Sequence, residues 1–77
     1  MDIDEKIILQ FEKLGIRTKE FRENRNLTIK ELSRKTGIRT EYLRKIESGK
    51  AFGILFEKHI VKIAKGLNVK ISELFDY

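Results

Sequence analysis

The chain has 77 residues, no cysteine, no proline and a formal net charge of +5. A chain of this length forms one small domain, which leaves little room for a large catalytic pocket. The lack of cysteine excludes a disulfide framework, a thiolate zinc site and a cysteine nucleophile, and it fits the reducing cytoplasm, where we expect the protein to reside. No apolar run approaches the length of a membrane span.

Positive charge is concentrated in the middle of the chain. Residues 13–50 contain twelve Lys or Arg and five Asp or Glu, whereas the other residues contain five and seven. This asymmetry favours a polyanionic partner, nucleic acid first and an anionic membrane second. The simpler alternative is that the charges only solvate helix surfaces.

The first third of the sequence has helical periodicity. One helix face would collect Ile3, Ile7, Phe11, Leu14, Thr18, Phe21 and Arg25. The pattern predicts a helix over residues 4–25, or two helices broken near Gly15. The stripe of Ile3, Ile7 and Phe11 either completes the core or forms a dimer seam. We favour packing on the core, because so small a domain needs the buried area.

The start of the second helix is marked by two local signals. Thr28 and Glu31 have the spacing of a capping box, in which each side chain accepts a hydrogen bond from the other residue's backbone. Leu27 and Leu32 occupy the positions of the hydrophobic staple that accompanies such a box. Together these signals predict a helix over residues 29–35.

Three further helical segments follow, and strand-like alternation does not persist anywhere. Gly37 ends the second helix in the left-handed conformation, and a third helix covers about residues 40–48 before Gly49. A fourth helix, over residues 54–66, places apolar side chains at helical spacing: Phe56, Ile60, Ile63 and Leu67. A last turn, over residues 71–76, buries Leu74 and Phe75. The sequence thus predicts an all-α fold.

Apolar positions around Gly37 have the spacing of a helix-turn-helix, in which a small residue lets two helices cross closely. Leu32 precedes this glycine by five residues, and three core residues follow it: Ile38, Leu43 and Ile46. The outward side of the third helix then carries Thr40, Glu41, Arg44, Lys45 and Ser48. A helix of this shape and charge fits the major groove of DNA.

From Leu14 to Phe75 the sequence resembles the lambda-repressor-like, Cro/Xre family of helix-turn-helix DNA-binding domains. The resemblance rests on three stretches: "LGIRTKEFRENRNLTIKEL", "TGIRTEYLRKIESGK" and "IVKIAKGLNVKISELF". It implies a five-helix domain that binds a roughly palindromic operator as a dimer. Residues 1–77 would then be one domain, with an N-terminal helical extension at 1–13, a family core at 14–75 and the helix-turn-helix at 28–49.

The resemblance also implies which residues contact DNA: Thr28, Ile29, Lys30, Arg39, Thr40, Glu41, Arg44, Lys45 and Lys50. Thr40 and Lys45 match base-reading positions of the family, whereas Arg44 lies on the side of the third helix that slopes toward the groove wall. Arg22 is expected to pair with Glu47 and thereby to point toward a phosphate. The same pair would alternatively serve only as a bridge between two helices.

Four features depart from the family pattern. Ile29 stands where a glutamine near the DNA is common, so a polar contact is lost or becomes an apolar contact with a thymine methyl group. Arg39 and Lys70 replace the usual Ser or Thr at helix starts, which weakens each cap by about 1 kcal/mol. Thr18 replaces a core aliphatic residue. The connection "KAFGILFEKH" is about two residues longer than usual and lacks the expected proline.

These observations predict a sequence-specific transcriptional regulator that binds double-stranded DNA as a homodimer, without a membrane partner. The alternative is an antitoxin-like, protein-binding module that neutralises a toxin and represses its own promoter. We expect no enzymatic activity, cofactor or metal, because the sequence has no phosphate-binding loop and no nucleophile beside a base. His59 has no apparent metal or acid partner and is expected on a helix surface. Glu41 either accepts from a cytosine amino group or only favours the helix dipole.

Overall fold

The computed structural model describes residues 5–51 and 57–75. Five α-helices follow one another: α1 (Glu5–Asn24), α2 (Ile29–Thr36), α3 (Thr40–Glu47), α4 (Glu57–Leu67) and α5 (Ile71–Leu74). No strand occurs within the two described ranges, and the predicted all-α, five-helix fold is confirmed. Ile3, the predicted start of the fourth helix at 54–56 and residue 76 lie outside the described residues.

α1 is one unbroken helix, so the alternative of two helices broken near Gly15 is wrong. A Cβ atom at Gly15 would overlap the carbonyl oxygen of Ile46 and would lie 3.0 Å from that of Glu47. The glycine therefore lets the backbone of α1 lie directly against the C-terminal end of α3. Its role is close packing between two helices rather than an interruption of one.

The core is built from apolar side chains of all five helices and two connections. Its buried members within the described ranges are Leu14, Leu32, Ile38, Leu43, Ile46, Ala51, Ile63, Ala64, Leu67 and Leu74. Thr18 is also completely buried, and its hydroxyl donates to the carbonyl oxygen of Leu14 at 2.7 Å. This hydrogen bond satisfies the polar group that replaces an aliphatic side chain. Phe75 is half-buried against the same core.

The N-terminal part of α1 corrects the prediction that its apolar stripe completes the core. Ile7 is 47% exposed, whereas Phe11 is half-buried. Leu14 is the first fully buried residue of α1 in the described structure, and residues 5–9 are all exposed, so the first turns of α1 lie largely outside the core. Helical periodicity identifies an apolar face but does not show how far along the helix that face is covered.

The helix starts agree with the capping signals in the sequence. The Thr28 hydroxyl accepts from the backbone N–H of Glu31 at 3.0 Å, and the Glu31 carboxylate accepts from the backbone N–H of Thr28 at 2.9 Å, which confirms the capping box. Arg39, at the N-cap of α3, makes no capping hydrogen bond with its side chain. Before α5, the backbone N–H of Lys70 donates weakly to the Glu73 carboxylate at 3.4 Å.

Candidate DNA-binding interface

The turn between α2 and α3 is fixed by one glycine and two hydroxyl groups. Gly37 has a φ of 74°, and its N–H donates to the carbonyl oxygen of Ser33 at 2.8 Å. The Ser33 hydroxyl donates to the carbonyl oxygen of Ile38, and the Thr36 hydroxyl accepts from the Ile38 N–H. Ile38 is thereby held in the core, which sets the angle between the two helices.

α3 has one buried side and one outward side, as its sequence predicts. Leu43 and Ile46 are completely buried and attach the helix to the core. Glu41, Arg44 and Lys45 are exposed on the outward side. The remaining predicted members, Thr40 and Ser48, are half-buried and exposed, respectively. Two basic side chains therefore project from a helix whose position is fixed from behind.

Arg22 of α1 and Glu47 of α3 form a bidentate ion pair. Arg22 Nε lies 2.8 Å from Glu47 Oε2, and Arg22 Nη2 lies 3.0 Å from Glu47 Oε1. The Nη1 atom donates to the carbonyl oxygen of Leu27 at 2.8 Å. The hydrogen bonds with Glu47 raise the pKa of Arg22, whereas partial burial opposes this effect. The arginine thus joins α1, α3 and the chain before α2, and it stays positively charged.

A groove of about 270 Å³ lies beside this ion pair. It is lined by Lys19, Arg22, Ile29, Arg44, Glu47 and Ser48. Three of these side chains are cations, and the single carboxylate is already paired with Arg22. Such a groove is suited to an anionic group, because positive charge remains after the internal pair is formed.

Lys19 is the residue of this groove that the sequence reasoning missed. It precedes Arg22 by three residues, so both lie on the same side of α1. That spacing was a usable signal once Arg22 had been singled out. The sequence alone does not show how α1 crosses α3. This crossing brings Lys19 and Arg44 to the same groove.

A second groove, of about 250 Å³, lies at the start of α3. It is lined by Arg39, Glu41, Tyr42 and Lys45. The Tyr42 ring packs on the ring of His59 from α4, with 4.7 Å between ring centres. Tyr42 was not singled out from sequence, because its role as a wall of this groove depends on the position of α4.

The other sequence-predicted contact residues lie at the start of α2 and after α3. Thr28 and Lys30 are exposed at the start of α2, and Ile29 is half-buried. Lys50 is exposed just after α3 and lines a third groove with Glu12 of α1. The nine predicted residues therefore belong to α2, α3 and the chain next to them, and all but Ile29 and Thr40 are exposed.

Comparison with known proteins places this geometry in a family. The sequence profile of the family described as "Helix-turn-helix domain" matches residues 15–77. The chain belongs to the helix-turn-helix domain family. Its five helices and the α2–α3 joint make it a helix-turn-helix protein of the Cro/Xre-like type.

Two relatives of this helix-turn-helix protein agree on its general role. An uncharacterized HTH-type transcriptional regulator of Archaeoglobus fulgidus is 41% identical over 59 residues, which cover 77% of this chain and 80% of the relative. The crystal structure of the restriction-modification controller protein C.AhdI from Aeromonas hydrophila is similar, with a TM-score of 0.77 and 28% identity. The match covers 84% of this chain and 96% of that one. The protein is a DNA-binding transcriptional regulator.

His59 of this helix-turn-helix protein is half-buried rather than fully on the helix surface. Burial lowers its pKa, and the positive charges of Lys58 and Lys62 lower it further. The imidazole therefore favours its neutral form near neutral pH. Within the described ranges no three His, Asp or Glu side chains come together as a metal site, and no helix is long and apolar enough to cross a membrane.

Proposed function

We propose that this protein regulates transcription by inserting α3 into the major groove of a roughly palindromic operator, to which it binds as a dimer. The observation that carries the proposal is the outward side of α3. Arg44 and Lys45 are exposed there, while Leu43 and Ile46 are completely buried behind them. The major groove admits one α-helix, and a helix held rigidly from its buried side suits this purpose.

We assign base recognition to Thr40 and Glu41 in the first turn of α3 and to Lys45 in its last turn. The Lys45 ammonium group would donate to the O6 and N7 acceptors of guanine. The Glu41 carboxylate would accept from the amino group of cytosine, and the Thr40 hydroxyl can donate or accept. Glu41 and Lys45 line one groove, which supports a shared role in reading adjacent bases.

Phosphate binding is assigned first to Arg22. A guanidinium group has five N–H donors, and three of them are used by Glu47 and Leu27. One N–H on each Nη atom remains, which suits an oxygen of a phosphate group. Lys19 and Arg44 line the same groove and would add charge to this site.

The remaining predicted residues would hold the protein in register on the DNA backbone. The exposed cations Lys30, Arg39 and Lys50 lie at the starts of α2 and α3 and after α3. Thr28 is exposed beside them, and Ile29 lines the groove that contains Arg22. Ile29 would contribute an apolar contact, for which a thymine methyl group is the fitting partner.

Dimer formation follows from the small number of base pairs that one helix reads. A few base pairs are too few to mark one site in a genome, so two half-sites about 10 base pairs apart are expected. Sedimentation of the protein with a selected operator should show two protein copies per duplex. One copy per duplex at saturation would contradict the dimer.

The proposed base contacts of α3 are tested with an operator selected from random DNA and with a scrambled duplex of the same length. Lys45→Ala and Thr40→Ala should each weaken binding to the operator by about 1–3 kcal/mol and leave binding to the scrambled duplex nearly unchanged. Arg44→Ala should weaken both duplexes and lower the salt dependence by about one unit. Lys65→Ala, an exposed lysine of α4, is the matched control. If Lys45→Ala and Thr40→Ala weakened binding to both duplexes equally, residues other than these two would be responsible for base recognition.

A further inference from the structure

α1 carries a stripe of exposed side chains on the side opposite its buried face. We call it the acidic stripe; its members are Glu5, Leu9, Glu12, Ile16, Glu20 and Glu23. They recur at intervals of three or four residues, which places them on one side of a helix. Leu14 and Thr18, on the other side of α1, are almost completely buried. The stripe is therefore separate from the core.

The two apolar members of the acidic stripe are unusually exposed for their size. Leu9 is 50% and Ile16 is 56% exposed. They are seven residues apart, so they lie two turns apart on the same line along the helix. A groove of about 180 Å³ lies at the outer end of the stripe and is lined by Glu5, Ile8 and Leu9. Apolar side chains at this spacing provide a seam for a second helix.

We propose that the acidic stripe docks a helix of a partner protein that presents apolar side chains flanked by Lys or Arg. Charge complementarity carries the choice of partner. Four of the six members of the stripe are glutamates, and they alternate with or follow the two apolar side chains. A helix with leucines opposite Leu9 and Ile16 and with cations beside them would bury the apolar surface and pair the carboxylates.

Two other occupants fit the charges less well. A second copy of the chain, paired through the same stripe, would bring glutamates such as Glu5 and Glu20 of both copies into one interface, where like charges repel. DNA would face the same carboxylates with its own negative phosphates, whereas the other cation-lined grooves lie beside α3. Only Glu12 and Ile16 of the stripe adjoin the DNA-binding surface, in the groove that Lys50 also lines. The proposal goes beyond DNA recognition and gives the outer side of α1 a role of its own.

The test uses two synthetic helical peptides of about three heptads with leucines at the seam positions. One peptide carries lysines beside the leucines, and the other carries glutamates at the same positions. Binding to the full chain is measured by fluorescence anisotropy. The lysine peptide should bind at least about tenfold more tightly than the glutamate peptide, and the difference should shrink as salt is added.

Variants locate the binding surface. Glu12→Lys and Leu9→Ser should each lower the affinity for the lysine peptide about tenfold. Glu57→Lys, an equal charge change at an exposed position of α4, should alter binding less than about twofold. Because the replaced side chains, Leu9 and Glu12, are exposed, both variants should melt near the wild-type temperature. Leu9→Ser should also keep wild-type operator affinity, which separates this proposal from the DNA-binding one.

Three results would overturn the proposal. The first is equal binding of the lysine peptide to wild type, Glu12→Lys and Leu9→Ser. The second is equal affinity for the lysine and glutamate peptides, which would mean that apolar contact alone is responsible. The third is a wild-type dimer that Leu9→Ser dissociates in sedimentation, since the occupant would then be a second copy of the chain.

Discussion

α2 and α3 are both eight residues long, but they are stabilised in different ways. α2 begins with a complete capping box between Thr28 and Glu31. α3 begins at Thr40, and its N-cap residue Arg39 has an extended backbone and makes no capping hydrogen bond with its side chain. α3 is held instead by Leu43 and Ile46, which are completely buried.

The difference fits the roles proposed for the two helices. A capped helix is specified by its own sequence and can serve as a support. A helix that enters a groove benefits from a first turn whose backbone N–H groups are not occupied by its own side chains, because that end carries partial positive charge. The cost is that α3 depends on its neighbours.

The largest effect is expected where α1 supports α3. Gly15→Ala would push a Cβ atom into the carbonyl oxygen of Ile46 and should destabilise the fold by about 3 kcal/mol. Gly37→Ala is the matched control: its Cβ atom meets nothing within 4 Å, so only the left-handed backbone is strained, by about 1 kcal/mol. Urea denaturation measures both. An equal or smaller loss for Gly15→Ala would show that α3 does not depend on this contact.

The next largest effect concerns the ion pair. Glu47→Ala leaves Arg22 without its main partner, and because the two side chains are only 12% and 8% exposed, stability should fall by about 2 kcal/mol. Operator affinity should fall as well, since Arg22 loses its orientation. Glu47→Gln retains the shape and one acceptor and should lose less of both. An unchanged melting temperature for Glu47→Ala would refute the structural role of the pair.

The cap substitutions compare the two helix starts directly. Thr28→Ala removes a capping acceptor and should cost about 1 kcal/mol of stability. Arg39→Ala removes no capping hydrogen bond and should change stability by less than about 0.5 kcal/mol. Thermal melting of both variants decides the matter. If Arg39→Ala were the more destabilising of the two, the contrast between the helices would be lost.

The smallest effect is a dependence on pH. Hydrogen bonds from the backbone N–H and the side chain of Thr28 lower the pKa of Glu31 in the folded protein. A carboxylate with a lowered folded pKa stabilises the fold above its unfolded pKa, and this stabilisation is lost as the pH falls from about 4.5 through the lower folded pKa. Glu31→Gln should therefore lose less stability than wild type over this interval. Identical losses would show that the glutamate is not linked to folding.

Local signals allowed most of the fold to be predicted from the sequence. The capping box at Thr28 and the left-handed Gly37 depend on neighbours within five residues, so a single sequence contains them. Contacts between distant segments were harder to infer. The role of Gly15 depends on how closely α1 approaches α3, and the exposure of Ile7 depends on where the neighbouring helices end.

In the candidate site, too, features set by nearby residues could be predicted, whereas contacts between distant segments could not. The outward side of α3 follows from helical periodicity once Leu43 and Ile46 are taken as buried. Lys19 and Tyr42 join the two grooves only through the packing of α1 and α4 against α3. Spacing along the chain cannot give such distances, because they depend on the angles at which helices cross.

Because α1 is one unbroken helix, it connects the acidic stripe with the cation-lined groove. Gly15, where α1 touches α3, lies near the midpoint between Leu9 in the acidic stripe and Arg22 in the cation-lined groove. The two arms are each about 10 Å long. A partner that tilted α1 as a rigid body about this contact would move both ends by similar amounts in opposite directions, and a shift of about 1 Å at Arg22 would break its hydrogen bond geometry. A helix docked on the acidic stripe and DNA bound at Arg22 would then be coupled, and the coupling would act equally in both directions.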